Sequence, residues 1–592
     1  MSQGATVLEH GGVQFRVWAP NVESLAVRLN SGSRFEMRRD GEEFEVVIPC
    51  AAAGDTYSFV FDNGRMRPDP VSRSQPEGVH GPSQIVNPGA FAWSDQDWRG
   101  ITIEDYIFYE LHSGTFTPEG NFAGIASKLD YLRDLGITAI ELMPVAEFPG
   151  GRNWGYDGVD LYAPHSAYGG PEELKKLVNS CHRAGLAVVL DVVYNHVGPE
   201  GNYLSEFGPY FTDQYRTPWG RAINYDGPGS DGVRRFIIEN ALYWLTEFHV
   251  DALRLDAIHG IFDFGALHIL SELRDRFHEQ AASLGRKAWI IAESDLNDVR
   301  VLNPRAIGGM ALDAQWLDDF HHTVYSYLTG MNRSYMAGFD RLWHMKKAIT
   351  EGFVYDGIYA PFRGRRFGSS SRDQPGQRFV ACIQNHDQIA NTSHGVRLSQ
   401  LVSIGQAKLA ASLLVCSPYL PLLFMGEEFA EIAPFQFFTS YGDPELAKAV
   451  TEGRKMEVGD LADGGEFADP QAEETFARSK ITWGLVDTPK HSSMLQFYRD
   501  VIALRKRWPC LGNGRKDLTR VEFDEQARWL RMDRADPSGC QAALLCNFSP
   551  ERVAFNLDEP GWQLVLATSS EHGGSKSVPG HGALLYIRDG SI

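Results

Sequence analysis

The sequence predicts an α/β protein, a (β/α)8 TIM barrel flanked by an N-terminal and a C-terminal β-sandwich, and three observations carry that prediction. Eight compact apolar runs alternate with stretches of helical periodicity between residues 106 and 429, the pattern of a parallel sheet buried on both faces. Near both ends of the chain the rhythm changes to short segments in which apolar and polar residues alternate, as half-buried strands require. A chain of 592 residues with 43% hydrophobic content can also bury more than one core. The resulting division is 1–95, 96–500 and 501–592.

In the first unit Val13, Phe15 and Val17 alternate with polar neighbours, as do Tyr57, Phe59 and Phe61, and Asp62-Asn63-Gly64 supplies a turn. The polar, Pro-rich stretch from Arg67 to Pro88 reads as a linker. The eight barrel runs are YIFYELH (106–112), AIELMPV (139–145), AVVLDVVYN (187–195), ALRLDA (252–257), AWIIAES (288–294), LDAQW (312–316), FVACIQNHD (379–387) and LPLLFMGEEF (420–429). Between them, Pro171 to Ala184, closed by Gly185, and Asp231 to His249 read as helices. The connections 195–230 and 317–378 are long and rich in Gly, Pro and aromatic residues, so they should shape a cleft at the C-terminal rim. The uncharged stretch from Leu409 to Gly426 approaches membrane-spanning length, but Pro418 and Pro421 interrupt it, and a buried helix followed by a buried strand fits better. In the last unit alternation returns in Trp529–Met532, Ala542–Phe548, Trp562–Leu566 and Ala583–Ile587.

The charge balance, 56 Lys and Arg against 76 Asp and Glu, gives −20, and no basic run appears. That argues against nucleic acid or an anionic membrane as partner. The seven cysteines (50, 181, 382, 416, 510, 540, 546) are scattered and never spaced as CxxC, and MSQGATVLEHGG lacks the charged and apolar regions of an export signal, so a reducing cytoplasm is expected.

Catalytic groups of a barrel belong at the C-terminal ends of its strands. The third strand ends Asp191-Val192-Val193-Tyr194-Asn195-His196, the fourth Arg254-Leu255-Asp256, the fifth Glu293, and the seventh Asn385-His386-Asp387. Each alone has a structural reading: Asp191 or Asn195 could cap a loop, Arg254 and Asp256 could be an internal ion pair, and Glu293 could be solvated. Four strands that finish this way together are not explained by packing. Three carboxylates, without a metal-ligand cluster or a nucleophilic Ser or Cys arrangement, point to glycoside chemistry, in which one carboxylate attacks carbon and a second, protonated, expels the leaving oxygen. Arg254 projects to the same side of its strand as Asp256 and would hold it ionised, which makes Asp256 the nucleophile and Glu293 the acid/base. Trp154, Tyr156, Tyr203 and Trp219 offer faces on which sugar rings stack, although each singly could be core.

The segments DVVYNH (191–196), LRLDAIH (253–259), IAES (291–294) and QNHD (384–387) resemble the four ordered signature regions of the α-amylase superfamily of glycoside hydrolases. The resemblance implies retention of anomeric configuration, Asp387 as a third carboxylate that binds and distorts the sugar, and Tyr156, His196, Arg254 and His386 around that ring. Segments 148–174, 195–204, 211–230, 426–455 and 476–483 are similar to the trehalohydrolase members, which implies maltooligosyltrehalose as the partner and trehalose as product. Branching enzymes share the WGY and FMG elements but differ after the eighth strand, and they stand as the alternative. Groups that select trehalose should lie on the loops after strands four and eight, with His259 and Glu427 as candidates. Asp295 is a rival to Glu293. Asp191 and Asn195 stand where many amylases place calcium ligands, but 197–230 holds no acidic cluster, so neither metal nor cofactor is expected, and a monomer is.

Overall fold

The computed structural model describes residues 3–392, 394–457, 467–557, 560–569 and 577–590. Its centre is a closed barrel of eight parallel strands in sequential order: β1 (Phe108–Leu111), β2 (Ala139–Leu142), β3 (Ala187–Val192), β4 (Ala252–Leu255), β5 (Trp289–Ala292), β6 (Ala314–Trp316), β7 (Phe379–Cys382) and β8 (Leu420–Phe424). Each falls within one of the eight runs, because a strand buried on both faces is apolar at consecutive positions and polar turns bound it. The helices Gly170–Arg183 and Ser230–Glu247 match the expected spans within two residues, and the uncharged stretch Leu409–Gly426 holds the end of the helix Ile404–Cys416 followed by β8. No described helix is long and apolar enough to cross a membrane.

Alternate residues of the strands point into the barrel. In its lower part these are Phe108, Ala139, Ala187, Val189, Ala252, Ile291, Ala314, Val380, Leu420 and Leu422, which pack with one another as a cluster separate from the main core. One step of period two further along the same face stand Glu110, Glu141, Asp191 and Arg254, each at most 2% exposed. Register pairs Glu110 with Glu141 and Asp191 with Arg254 across neighbouring strands. The barrel is therefore plugged with hydrocarbon below and lined with charge above.

The N-terminal unit is two packed sheets. Gly4–Val7, Val13–Trp18, Glu43–Ile48 and Arg38–Asp40 form one, and Arg34–Glu36, Leu25–Leu29, Thr56–Phe61 and Met66–Arg67 the other. The stretch 67–88 is not an exposed linker. Ser83–Gln84 pairs with Thr56–Phe61, Asp69 and Ser72 are wholly buried, and the Tyr57 hydroxyl donates to Asp69 at 2.6 Å. Polar composition misled there because internal hydrogen bonds satisfy the buried groups. This unit rests on the loop after β3: Asn21 N–H donates to the Phe207 carbonyl at 3.1 Å, and Trp18 packs edge-on against Tyr210.

A helix, Pro489–Arg507, runs through the expected boundary at 500, and the C-terminal five-stranded antiparallel sheet starts at Thr519. Buried Arg505 and Arg534 join this part to the barrel by donating to the carbonyls of Val415, Cys416 and Ser417, at and just beyond the end of the helix preceding β8. That placement satisfies acceptors a helix end leaves open.

Candidate active site

Asp256, one residue beyond β4, is clasped at both oxygens. Arg254 Nη1 donates to Oδ1 at 2.7 Å and Asn195 Nδ2 to Oδ2 at 2.8 Å. The same Arg254 Nη1 donates to both Asp191 oxygens at 3.0 Å, and its guanidinium lies 4.3 Å from the centre of the Trp316 ring. Charge-assisted bonds in a buried place hold an aspartate in one orientation. Asn195, which the sequence suggested only as a cap or metal position, thus touches the presumptive nucleophile directly.

Glu293 follows β5, its side chain 17% exposed, with Oε2 at 3.8 Å from Arg254 Nη2 and accepting from the Ala257 N–H. Ala257 adopts φ +38°, a conformation costly for a residue with a Cβ, and so turns its N–H toward Glu293 directly after Asp256. Burial pushes the Glu293 carboxyl up to about 8; Arg254 opposes the rise and the charges of Asp256 and Asp387 add to it. Two carboxyl groups thus share one guanidinium, and Glu293 is the one whose surroundings favour the proton that acid catalysis requires.

Asp387 is exposed in the first turn of the helix His386–Ala390, which Asn385 caps by accepting from the N–H groups of Asp387 and Gln388 at 3.0 and 3.1 Å. His386 lies beneath. Its Nδ1 is bonded to Glu110 Oε1, its backbone N–H donates to Glu110 Oε2 at 3.2 Å, and Nε2 meets the Tyr156 hydroxyl at 2.9 Å. Burial works to lower the imidazole, but the Glu110 charge, the hydrogen bond to Glu110 and the Asp387 charge together outweigh it, and the net shift is upward. Tyr156 also donates to Asp191 at 2.6 Å. The loop that brings Tyr156 in needs Gly155, whose φ is +109° and whose added Cβ would lie 2.1 Å from the Pro144 carbonyl. His196 Nε2 is 3.0 Å from the Tyr156 carbonyl, and its ring stacks on Trp219 at 5.2 Å. Trp154 is buried, edge-on to His386 at 5.3 Å, with Nε1 donating to the Gln436 carbonyl at 2.9 Å.

Asp256, Glu293, Asp387, Arg254, Tyr156, His196, His386 and Trp154 are thereby brought to one rim. His259 is beside them, 6.1 Å from Trp219 between ring centres, with a buried Nδ1 that makes no hydrogen bond and lies 3.8 Å from Asp295 Oδ1. Glu427 does not join the rim as expected. It is 4% exposed, accepts from the Tyr498 hydroxyl at 2.7 Å, and belongs to the packing between β8 and the helix Pro489–Arg507. Tyr203 also departs: Arg67 covers its ring at 4.2 Å and its hydroxyl meets His80 at 2.6 Å. Asp295, the rival carboxylate, is paired with Arg363 at 2.6 Å. The sequence reading missed Glu110, Glu141 and Asp318. For the first two the signal was available, a charged residue in phase with the inward positions of an apolar run. Asp318, just past β6, has its carboxyl driven well above the ordinary range by burial and by the charges of Glu293 and Asp387. Among the described residues no group of three or more His, Cys, Asp or Glu could hold a metal ion.

An eight-stranded barrel whose C-terminal rim presents an arginine-held aspartate, a protonated glutamate and a further aspartate has the architecture of α-amylase-type glycoside hydrolases. Residues 78–219 match the family described as alpha amylase, catalytic domain, and residues 515–585 match a domain of unknown function, DUF3459. The malto-oligosyltrehalose trehalohydrolase of Saccharolobus solfataricus is 46% identical over 564 residues, covering 95% of this chain and 95% of its own. That of Rhizobium sp. M-11 is 44% identical over 570 residues, covering 94% of each. The crystal structure of a provisionally named alpha amylase of Salmonella typhimurium superposes with a TM-score of 0.92 at 40% identity, covering 99% of this chain and 100% of the other. The chain belongs to the malto-oligosyltrehalose trehalohydrolase family. A 1,4-alpha-glucan branching enzyme of Xanthomonas campestris is more distant, at 27% identity.

Proposed function

We propose that this chain hydrolyses the α-1,4-glucosidic bond next to the terminal trehalose of maltooligosyltrehalose, releasing trehalose and a maltooligosaccharide with retained configuration. The observation that carries the reading is 46% identity to a trehalohydrolase along 95% of both chains. The rim geometry supports a chemical course. Asp256 attacks the anomeric carbon while Glu293 gives its proton to the glycosidic oxygen, and trehalose departs. Glu293, now ionised, takes a proton from water, which attacks the same carbon and frees Asp256. Arg254 and Asn195 aim the nucleophile, and Asp387 and His386 hold hydroxyls of the ring being cleaved. His259, with an unsatisfied nitrogen next to Trp219, contacts a trehalose hydroxyl on the leaving side. We propose further that the enzyme acts as a monomer in the cytoplasm.

Incubation with maltopentaose and with maltotriosyltrehalose, followed by chromatography, tests the reading. Free trehalose released much faster than any maltose is the expected result. New α-1,6 branches on amylose without release of trehalose would favour the branching enzyme. A β-configured first product by NMR would refute retention.

A further inference from the structure

The chain that carries Glu293 away from β5 enters neither helix nor strand before Val299, and it is held from outside. Both grips come from the long connection between β6 and β7. The inner grip is buried. Asn297, at φ +50°, donates through Nδ2 to Asp319 Oδ2 at 2.9 Å and to the Tyr355 carbonyl at 3.2 Å, and its own carbonyl accepts from the Ser369 N–H at 2.9 Å. The outer grip is Arg363. Its Nη2 donates to Asp295 Oδ2 at 2.6 Å and to the Asp295 carbonyl at 3.2 Å, so it holds the main chain two residues beyond the acid/base as well as a side chain.

Arg363 has a firm base of its own. Its guanidinium lies 4.7 Å from the Phe367 ring centre and 5.1 Å from that of Phe362. Phe367 packs with Phe339, Val354, Tyr355 and Ala360 in a small apolar cluster separate from the main core. On the other side of Asp295, Oδ1 faces His259 Nδ1 at 3.8 Å, and the Glu293 carbonyl accepts from the Ile258 N–H at 3.0 Å. Asp295 is therefore the point at which the loops after β4 and β5 meet the lobe built on residues 339–367. The pair is partly exposed, 28% at Arg363 and 40% at Asp295, and such pairs contribute little to folding stability. What a bond to the main chain beside the acid controls is position, and small misplacements near the reacting atoms carry a large cost in rate.

We propose that Arg363 is a positioning residue for the reaction: through Asp295 it holds the loop that sets where the Glu293 carboxyl meets the leaving oxygen, and it ties His259 into the same assembly. The inference rests on the reading of Glu293 as the acid/base and not on the identity of the sugar that departs. Arg363 and Asp295 take no part in the chemistry themselves.

The test compares kcat on maltotriosyltrehalose with kcat on a nitrophenyl α-maltotrioside for the wild type, Arg363→Ala, Arg363→Lys, Asp295→Ala, the double alanine variant and Glu293→Gln. Circular dichroism and thermal unfolding verify each fold. Arg363→Ala should lose roughly tenfold on maltotriosyltrehalose, since a shift of 1 Å costs about 10²-fold and a loosened loop moves the acid by less. On the nitrophenyl substrate the loss should stay below about twofold, because that leaving group needs little protonation. Arg363→Lys keeps a donor for Asp295 and should recover much of the rate. The double variant should lose little more than Asp295→Ala, as two ends of one link require. Equal losses on the two substrates, a wild-type rate in Arg363→Ala, or full additivity of the two single losses would overturn the role. Should an alanine variant fail to fold, Asp295→Asn, which keeps the shape and removes the charge, carries the same comparison with a smaller expected ratio. Glu293→Gln separates the two claims. Equal losses on both substrates in that variant would refute the acid/base assignment and the positioning role with it, whereas a leaving-group-dependent loss there beside a uniform one in Arg363→Ala would refute the positioning role alone. If maltotriosyltrehalose yields no trehalose, the same comparison made with maltopentaose decides.

Discussion

The lower and upper parts of the barrel interior are built by the same strands on the same face, and they differ in everything but that. Below, Phe108, Ala139, Val189, Ala252 and Leu422 exclude water and need no partners. Above, two residues along, Glu110, Asp191 and Arg254 are equally buried, but each is tied to another charged or polar group: Glu110 to His386, Asp191 to Tyr156 and Arg254, Arg254 to Asp256. Burying a charge costs several kcal/mol unless it is paired, so the upper layer is stable only as a set. Glu141 sharpens the contrast. Neither of its oxygens has a partner, and burial together with the Glu110 charge moves its carboxyl well above the ordinary range, which leaves it neutral. The lower layer specifies the barrel, and the upper layer specifies what the barrel does.

Substitutions in the two layers should separate activity from stability. The largest effect is expected for Asp256→Asn, which keeps the side chain's shape and one acceptor but cannot supply the attacking charge; kcat should fall by about 10⁴-fold or more with the fold retained by circular dichroism. Residual activity of a few percent would place the nucleophile elsewhere. Glu293→Gln comes next, with a loss of about 10²- to 10⁴-fold on natural substrate and much less on an activated aryl glycoside, whose leaving group needs little protonation. The same variant addresses pH. Glu293 must be protonated to act and its carboxyl sits at about 8, so kcat/KM should fall as pH rises through that value. In Glu293→Gln this alkaline limb should vanish, and a limb that persists would assign it to another group.

Glu110→Gln removes the charge that raises the His386 imidazole and should lower both stability and activity, the latter by roughly tenfold or more, as expected when over about 1.4 kcal/mol of interaction at the site is lost. A variant with wild-type kcat/KM would show that the layer's ion pairs are structural only. The smallest catalytic effect belongs to the lower layer. Leu422→Ala should cost about 2–5 kcal/mol in unfolding free energy through the cavity it leaves, with little change in kcat/KM. A loss of activity comparable to that of Glu110→Gln would erase the distinction between the layers.

Much of this was legible in the sequence, for reasons that also explain what was not. The eight strands could be read because a strand buried on both faces gives an uninterrupted apolar run, and the polar residues that end those runs, Asp256, Glu293 and Asp387, could be read because nothing in a barrel's packing calls for them. Glu110 was hidden inside a run, where only its phase with Phe108 marks it as facing inward. Glu427 also ends a strand, yet it faces a helix 71 residues away through Tyr498, a contact that sequence position does not encode. The stretch 67–88 looked like a tether because its composition is polar, whereas Asp69 and Tyr57 bury that polarity by pairing it.

The N-terminal sandwich, whose Trp18 and Asn21 brace the loop after β3, bears on how the molecule can be taken apart. That loop runs from His196 through the hairpin Phe211–Ile223, which carries Trp219 to its stack on the active-site imidazole. A module that looks detachable on a linear map is therefore a buttress for one wall of the cleft. Trimming the enzyme to its barrel, or exchanging this sandwich for that of another protein, would alter the shape offered to the sugar as well as the length of the chain.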